Sequence, residues 1–267
     1  MNRMESTTIQ QLCTFLDNFA PPKLAEEWDN VGLLVGDRKG AVARVMTCLT
    51  VTPDSVAEAV DQQADCIVTH HPLPFRALKR ITTDTVPGML LWKLIRAGIA
   101  VYSPHTAFDS AAVGINQTLA EGVGLTDIQP LIPAEELQGV GTGRMGRFES
   151  ARTLGDLANH LKEFLGIEHL KAVGNLGAPV EKVAVACGSA GQFLGPARAK
   201  GCNALVTGET TFHTCLEAEA TEVGLVLPGH YASERFAVER LAEVVSQEFP
   251  HMTTWACAAE HDPVIWL

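Results

Sequence analysis

Two stretches of this chain follow the same order of residues 138 positions apart, and that repetition constrains the fold more than any other feature. "RVMTCLTVTPDSVAEAVDQQADCIVTHHPLPF" from Arg44 and "KVAVACGSAGQFLGPARAKGCNALVTGETTFH" from Lys182 both read as apolar strand, helix, apolar strand and polar turn. Val45 matches Val183 and Thr69 matches Thr207 at one constant offset. The likeness continues in "LIRAGIAVYSPHTAFD" and "EATEVGLVLPGHYASE", each a helix end, a short apolar strand and a turn with Pro and His. Strands that alternate with helices form parallel α/β sheets. The expectation is therefore an α/β fold of two similar α/β domains, residues 1–125 and 126–267, with the C-terminal helix and strand able to pack back on the first. Residues 141–166 read as a strand, a turn and an amphipathic helix opening the second domain, and "DPVIWL" reads as a short terminal strand.

The repeat matters because it doubles a potential site. Cys66-Ile67-Val68 is a short buried strand, and His70 and His71 follow it at the carboxyl end, where open α/β sheets place their ligands. Adjacent residues on an extended chain point to opposite sides, so two neighbouring ions could take one ring each. The pair also reads as an exposed loop or as a cap on backbone groups. His105 and Asp109 in the first copy, and His230 and Glu234 in the second, share the spacing His-x-x-x-acid. If each turn opens the helix that follows, His and acid lie about one turn apart on one side.

Taken singly, His105 reads as a turn histidine and Glu234 as a first-turn acid favoured by the helix dipole. Their repetition beside equivalent strand ends favours metal ligation. Placing the copies face to face would gather these residues with Glu209 and His213, which read either as groups orienting a ligand or as a polar rim. A mixed imidazole and carboxylate set suits Zn, Fe, Mn or Ni. Two divalent ions outweigh the charge that one Asp and one Glu return, which favours a bridging oxygen and points to hydrolysis. His105 and Glu209 are the candidates for moving a proton.

The remaining features are exclusions. With 20 Lys+Arg against 31 Asp+Glu, the net charge of -11 disfavours nucleic acid unless basic residues gather locally. No apolar run approaches the ~20 residues of a membrane span, and the amino terminus lacks a secretory pattern. Seven scattered cysteines, never spaced C-x-x-C, fit buried reduced thiols in a cytoplasmic protein. No P-loop, G-x-S-x-G or H-E-x-x-H motif is present.

"LAEEWDNVGLLVGD" (24–37), "VTHHPLPF" (68–75), "PHTAFD" (104–109), "GRMGRF" (143–148), "LVTGETTFH" (205–213) and "GHYASERFAVERLAE" (229–243) together resemble the Nif-three-like family of dinuclear-metal proteins, also called GTP cyclohydrolase I type 2 homologues. The resemblance implies two similar α/β domains with a metal pair in the cleft between them, and a homohexameric toroid. It carries the metal positions over to His70, His71, Asp109, His230 and Glu234, the last bridging two divalent ions, and makes His105 a near neighbour. Many relatives have a second His after the Thr-Gly-acid motif, where this chain has Phe212 before His213, and the large insertion of some relatives is absent. The implied activity is metal-dependent hydrolysis of a small nucleotide-like or phosphorylated substrate; the alternative is a non-enzymatic metal-stabilised ring that binds a protein partner.

Overall fold

The structure, a computed structural model, describes residues 7–135 and 137–265. In chain order its elements begin with α1 (Ile9–Phe19), β1 (Gly32–Val35), β2 (Arg44–Cys48), α2 (Pro53–Asp61), β3 (Cys66–Thr69), α3 (Val86–Ala97), β4 (Ala100–Ser103), α4 (His105–Ser110) and α5 (Ile115–Gly122). They continue with β5 (Thr126–Pro133), β6 (Gly141–Thr153), α6 (Leu154–Leu165), β7 (Lys171–Val173), β8 (Pro179–Ser189), α7 (Leu194–Ala199), β9 (Ala204–Glu209), α8 (Phe212–Ala220), β10 (Gly224–Leu227), α9 (His230–Glu248) and β11 (Thr253–Ala256). The chain divides into two compact units, one running to Phe108 and including Ala237–His261, the other built on Asp109–Phe236.

The first unit holds a five-stranded sheet in the order β1-β4-β3-β2-β11, parallel except for β1 at one edge. Strand residues alternate between its faces. Met46, Ile67 and Val101 pack with Leu90, Leu91 and Leu94 of α3 on one side. Val45, Val68 and Tyr102 pack with Leu12 and Leu16 of α1 and with Leu241 and Val245 of α9 on the other. Both faces are covered, which is why these strands read as continuous apolar runs. α1 starts at a capping box of Thr8 and Gln11 and buries Ile9, Leu12, Cys13 and Leu16 at helical spacing.

The second unit holds a six-stranded mixed sheet in the order β5-β6-β8-β9-β10-β7. Its three central strands are parallel, and in β8 and β9 Val183 faces Ala204 while Ala186 faces Thr207. In β2 and β3 Val45 faces Cys66 and Cys48 faces Thr69, the same register 138 residues earlier. Ala184, Ala186, Leu205 and Leu225 fill the core with Leu194 and Ala197 of α7 and Ala218 of α8.

Four details differ from the sequence expectation. The first unit ends at Phe108 rather than at 125, because α5 packs on β6 and β8. No turn separates β6 from α6: the strand runs to Thr153, where a capping box with Asp156 starts the helix directly. The helical sequence after Asp109 is interrupted between Ser110 and Ile115, and Asp262–Ile265 form no strand. All seven cysteines are free, six of them buried. Among the described residues no helix is long and apolar enough to cross a membrane.

Candidate metal centre

In the first unit, His70 and His71 directly follow β3, and Pro104 and His105 directly follow β4. Parallel neighbours deliver their carboxyl ends to one edge of the sheet, so the three rings converge: centroids are 5.0 Å apart for His70 and His71, 5.1 Å for His70 and His105, and 5.6 Å for His71 and His105. One possible ligand atom from each lies within 4.8 Å of the others. His70 is buried, with Ser103 Oγ donating to its carbonyl at 2.7 Å.

Two of the rings are held from behind. His71 Nδ1 meets Thr50 Oγ1 at 2.7 Å, and His105 Nδ1 meets Asp29 Oδ1 at 2.7 Å. With each Nδ1 engaged, Nε2 is the nitrogen through which either ring can ligate. Asp29 also accepts from the Thr106 amide, the Thr106 hydroxyl and the Asn30 amide. Burial alone would raise its pKa, but the bonds from His105 and Thr106 and the nearby imidazole outweigh it and bring the carboxyl down to about 2. Asp29 therefore stays an acceptor and keeps the His105 proton on Nδ1, the arrangement by which carboxylates orient metal-ligating imidazoles.

The second unit presents a different chemistry at the equivalent edge. His230 opens α9, and its ring lies between carboxylates, with Nδ1 2.9 Å from Glu209 Oε1 and Nε2 3.2 Å from Glu234 Oε2. Glu234 is 4% exposed, whereas Glu209 is largely in solvent. The hydrogen bond His230 donates to Glu234 raises its pKa, burial opposes the rise, and the charge of Glu234 and the bond to Glu209 add to it, to about 9. Glu234 comes close because Gly188, at φ +64, offers no side chain: a Cβ there would stand 2.4 Å from Glu234 Oε1. Ser233 ties the same corner by accepting from the Gly188 amide at 3.0 Å and donating to the His230 carbonyl at 2.8 Å.

Asp109 occupies α4 one turn after His105 and accepts from the Cys187 thiol at 3.2 Å. Burial, then the charges of Asp109 and Glu234, push that thiol well above its ordinary value, so it stays a neutral donor. Arg144, from the "GRMGRF" stretch, is buried and donates to the carbonyls of Ser110, Ala111, Gly141 and Gly143 and to Gln117 Oε1. Burial lowers its pKa to about 10, and it fixes the chain directly after Asp109. His213 is exposed on α8 beside Phe212, with the two ring centroids 6.1 Å apart.

The donor set fits a divalent ion. Metal bonds of about 2.0–2.2 Å at a tetrahedral angle separate two ligand atoms by roughly 3.4 Å, and His230 Nε2 and Glu234 Oε2 are 3.2 Å apart. A bound cation would take the place of the proton that now joins them. Sequence reasoning picked out the residues at the strand ends and missed those behind them: Asp29, Thr50, Cys187, Gly188 and Arg144. Asp29 and Arg144 lie in stretches that carry the family resemblance, which was the available signal.

The Duf34/NIF3 (NGG1p interacting factor 3) family profile matches residues 7–263. The GTP cyclohydrolase 1 type 2 homolog of Clostridium acetobutylicum is 34% identical over 230 residues, covering 86% of this chain and 86% of that protein. The protein NIF3 homolog of Schizosaccharomyces pombe is 34% identical over 226 residues, 80% of each. Among solved structures, a Staphylococcus aureus protein aligns with a TM-score of 0.89 at 26% identity over 98% of this chain and 99% of its own. A NIF3-related protein of Bacillus cereus, at 24% identity, shares the fold with a TM-score of 0.88 over 98% and 100%.

Proposed function

The chain belongs to the Duf34/NIF3 family, and from that premise we propose that it is a metal-dependent hydrolase of a small nucleotide-like or phosphorylated substrate, with His70, His71, Asp109, His230 and Glu234 as ligands of a pair of divalent ions. The observation that carries this reading is the convergence of three imidazoles with ligand atoms within 4.8 Å, two of them fixed through Nδ1 by Thr50 and Asp29. Such convergence at strand ends, with the tautomers set from behind, is the preparation a metal requires. Divalent ions held there supply Lewis acidity and lower the pKa of water.

The protein's own groups have distinct parts. His105, backed by the Asp29 carboxylate, is the better placed to move a proton, since Asp29 stabilises the imidazolium that forms. Glu209 accepts from His230 Nδ1 and acts as a positioning residue for that ring. Asp109 and Glu234 supply the negative charge that the imidazole cluster lacks. The same-register strand sets are two copies of one ancestral unit, and the protein works as a homohexamer; the latter rests on the family resemblance and is read by light scattering of the purified protein.

The test is a screen of nucleotides and phosphoesters with metal-replete protein beside Asp109→Ala and His71→Ala. Turnover of at least one substrate is expected, lost by more than about 100-fold in both variants, since removing a ligand exceeds the ~10–100-fold cost of removing its support, and lost on chelation. Absence of any turnover, or turnover unchanged in both variants, replaces the enzyme with a ring whose metals stabilise a binding scaffold.

A further inference from the structure

Beside the imidazole cluster of the first unit stand two aromatic rings that the fold leaves bare. Trp28 is 61% exposed and Phe75 is 49% exposed. Their centroids are 5.9 Å apart, and each lies 6.1 Å from the ring of His105. Burying aromatic faces is a large favourable term in any core, so a solvated pair in contact with a candidate catalytic ring calls for an occupant. The pair is also built into the site. Asn30 Nδ2 donates to the Pro74 carbonyl at 2.8 Å, which fixes the residue before Phe75, and the Asn30 amide donates to the same Asp29 carboxylate that holds His105. One short segment, Trp28-Asp29-Asn30, thus sets the platform and the imidazole together.

Directly after Phe75 come Arg76, Lys79 and Arg80, all exposed, and among the described residues none of the three is paired with a carboxylate. They form a local excess of positive charge in a chain of net charge -11. A bare aromatic face next to unpaired cations matches a ligand with a planar ring at one end and phosphates at the other: stacking accepts any base, and basic side chains accept its phosphates.

We infer that Trp28 and Phe75 are a stacking platform for the heterocycle of a nucleotide, with Arg76, Lys79 and Arg80 attracting its phosphates. The inference rests on the reading of the imidazole cluster as a hydrolytic site and names the substrate class of that site. It commits the ring of the substrate to the Trp28 side of His105 and leaves the imidazoles to the phosphate end.

The measurement is equilibrium dialysis of metal-replete protein against three probes: a methylene-bridged, non-hydrolysable GTP analogue, guanosine, and inorganic tripolyphosphate. Trp28→Ala is expected to weaken the analogue and guanosine about 5- to 100-fold, the range for losing one base stack, and to leave tripolyphosphate unchanged. Trp28→Phe, which keeps an aromatic face, restores most of the binding and shows that any loss in Trp28→Ala is not misfolding. Neutralising Arg76, Lys79 and Arg80 together to Gln weakens the analogue and tripolyphosphate and flattens the salt dependence of both, while guanosine is unaffected. Failure of the wild type to bind the analogue, or equal affinity in Trp28→Ala, overturns the platform. So does loss of assembly in Trp28→Ala with binding per chain retained, which assigns the rings to contact with a second copy. Binding needs no turnover, so a protein that holds the analogue through Trp28 and hydrolyses nothing keeps the platform and loses the hydrolase.

Discussion

The two units run three parallel strands in one register and then diverge at the residues that follow. At the end of β2 the first unit has Thr50, and 138 positions on the second has Gly188; after β3 the first has His70-His71, and the second has Gly208-Glu209. Thr50 supports the His71 ring. Gly188 and Gly208 admit the start of α9, because a Cβ at 208 would lie 2.5 Å from Ser233 Oγ and one at 188 would meet Glu234. One scaffold thus yields two electrostatic environments. The first gathers imidazoles and turns its carboxylate, Asp29, behind a ring; the second gathers carboxylates around one imidazole. The scaffold fixes where donors arrive, while small residues decide which donors fit.

The two units should respond most differently to substitution at positions 188 and 50. Gly188→Ala is expected to cost the second unit about 2–4 kcal/mol, combining overpacking against Glu234 with a left-handed backbone. Thr50→Gly loses one hydrogen bond and some backbone restriction, about 1–2 kcal/mol. Urea unfolding of both variants reads the difference, and a larger loss for Thr50→Gly would show that close approach at Gly188 is not what shapes the second site.

Next in size is the support behind the ligands. Thr50→Val removes the hydroxyl that orients the proposed ligand His71 and should lower zinc affinity about 10- to 100-fold, measured by competition with a chelator. Glu209→Gln should do less, because Glu209 is mostly in solvent. The reverse order would make the carboxylate-rich unit the dominant one in holding metal.

The smallest effect concerns a lock that only one unit has. Glu58 of α2 accepts from the Ala258 and Ala259 amides, Trp255 Nε1 and the Cys257 thiol, fastening the segment after β11, whereas the position 138 residues later is Pro196. Burial would raise the Glu58 pKa, but the bonds it accepts outweigh this and lower it. A lowered carboxyl stabilises fully above the ordinary value near ~4.3 and loses that contribution as pH falls through the folded value. Glu58→Gln should therefore narrow the gap between urea midpoints at pH 7 and pH 3, by less than about 1 kcal/mol. An unchanged gap would show that the fastening by Glu58 contributes no acid-sensitive stability.

The parts of this molecule that were legible in the sequence are those governed by local pattern. Apolar runs of four to six residues separated by helical spacing identified β2, β3, β8 and β9, and the structure pairs β2 with β3 and β8 with β9 in the same register. The His-x-x-x-acid spacing put His and acid one turn apart on condition that each turn opens a helix, and His105 and His230 are the first residues of α4 and α9. Local pattern failed where one segment serves another. The boundary of the first unit moved to Phe108 because the apolar face of α5 has no periodicity that says which sheet it covers, and packing on β6 and β8 settles it.

By itself the sequence determined the strand-helix-strand units on either side of the 138-residue offset, the residue types waiting at the ends of their strands, and the family to which the chain belongs. These follow from alternation, helical period and fixed spacing, all of which act within a few residues. Tertiary structure alone decided that Asp29, 76 residues from His105, is the carboxylate behind it, and that Arg144 clamps the carbonyls after Asp109 from 33 and 34 residues away. It also decided that Trp28 and Phe75 meet at the same imidazole. The physical reason is that a buried charge or a bare ring is satisfied by whichever segment the packing of the core brings within about 3–6 Å, and no pattern along the chain encodes that segment's identity.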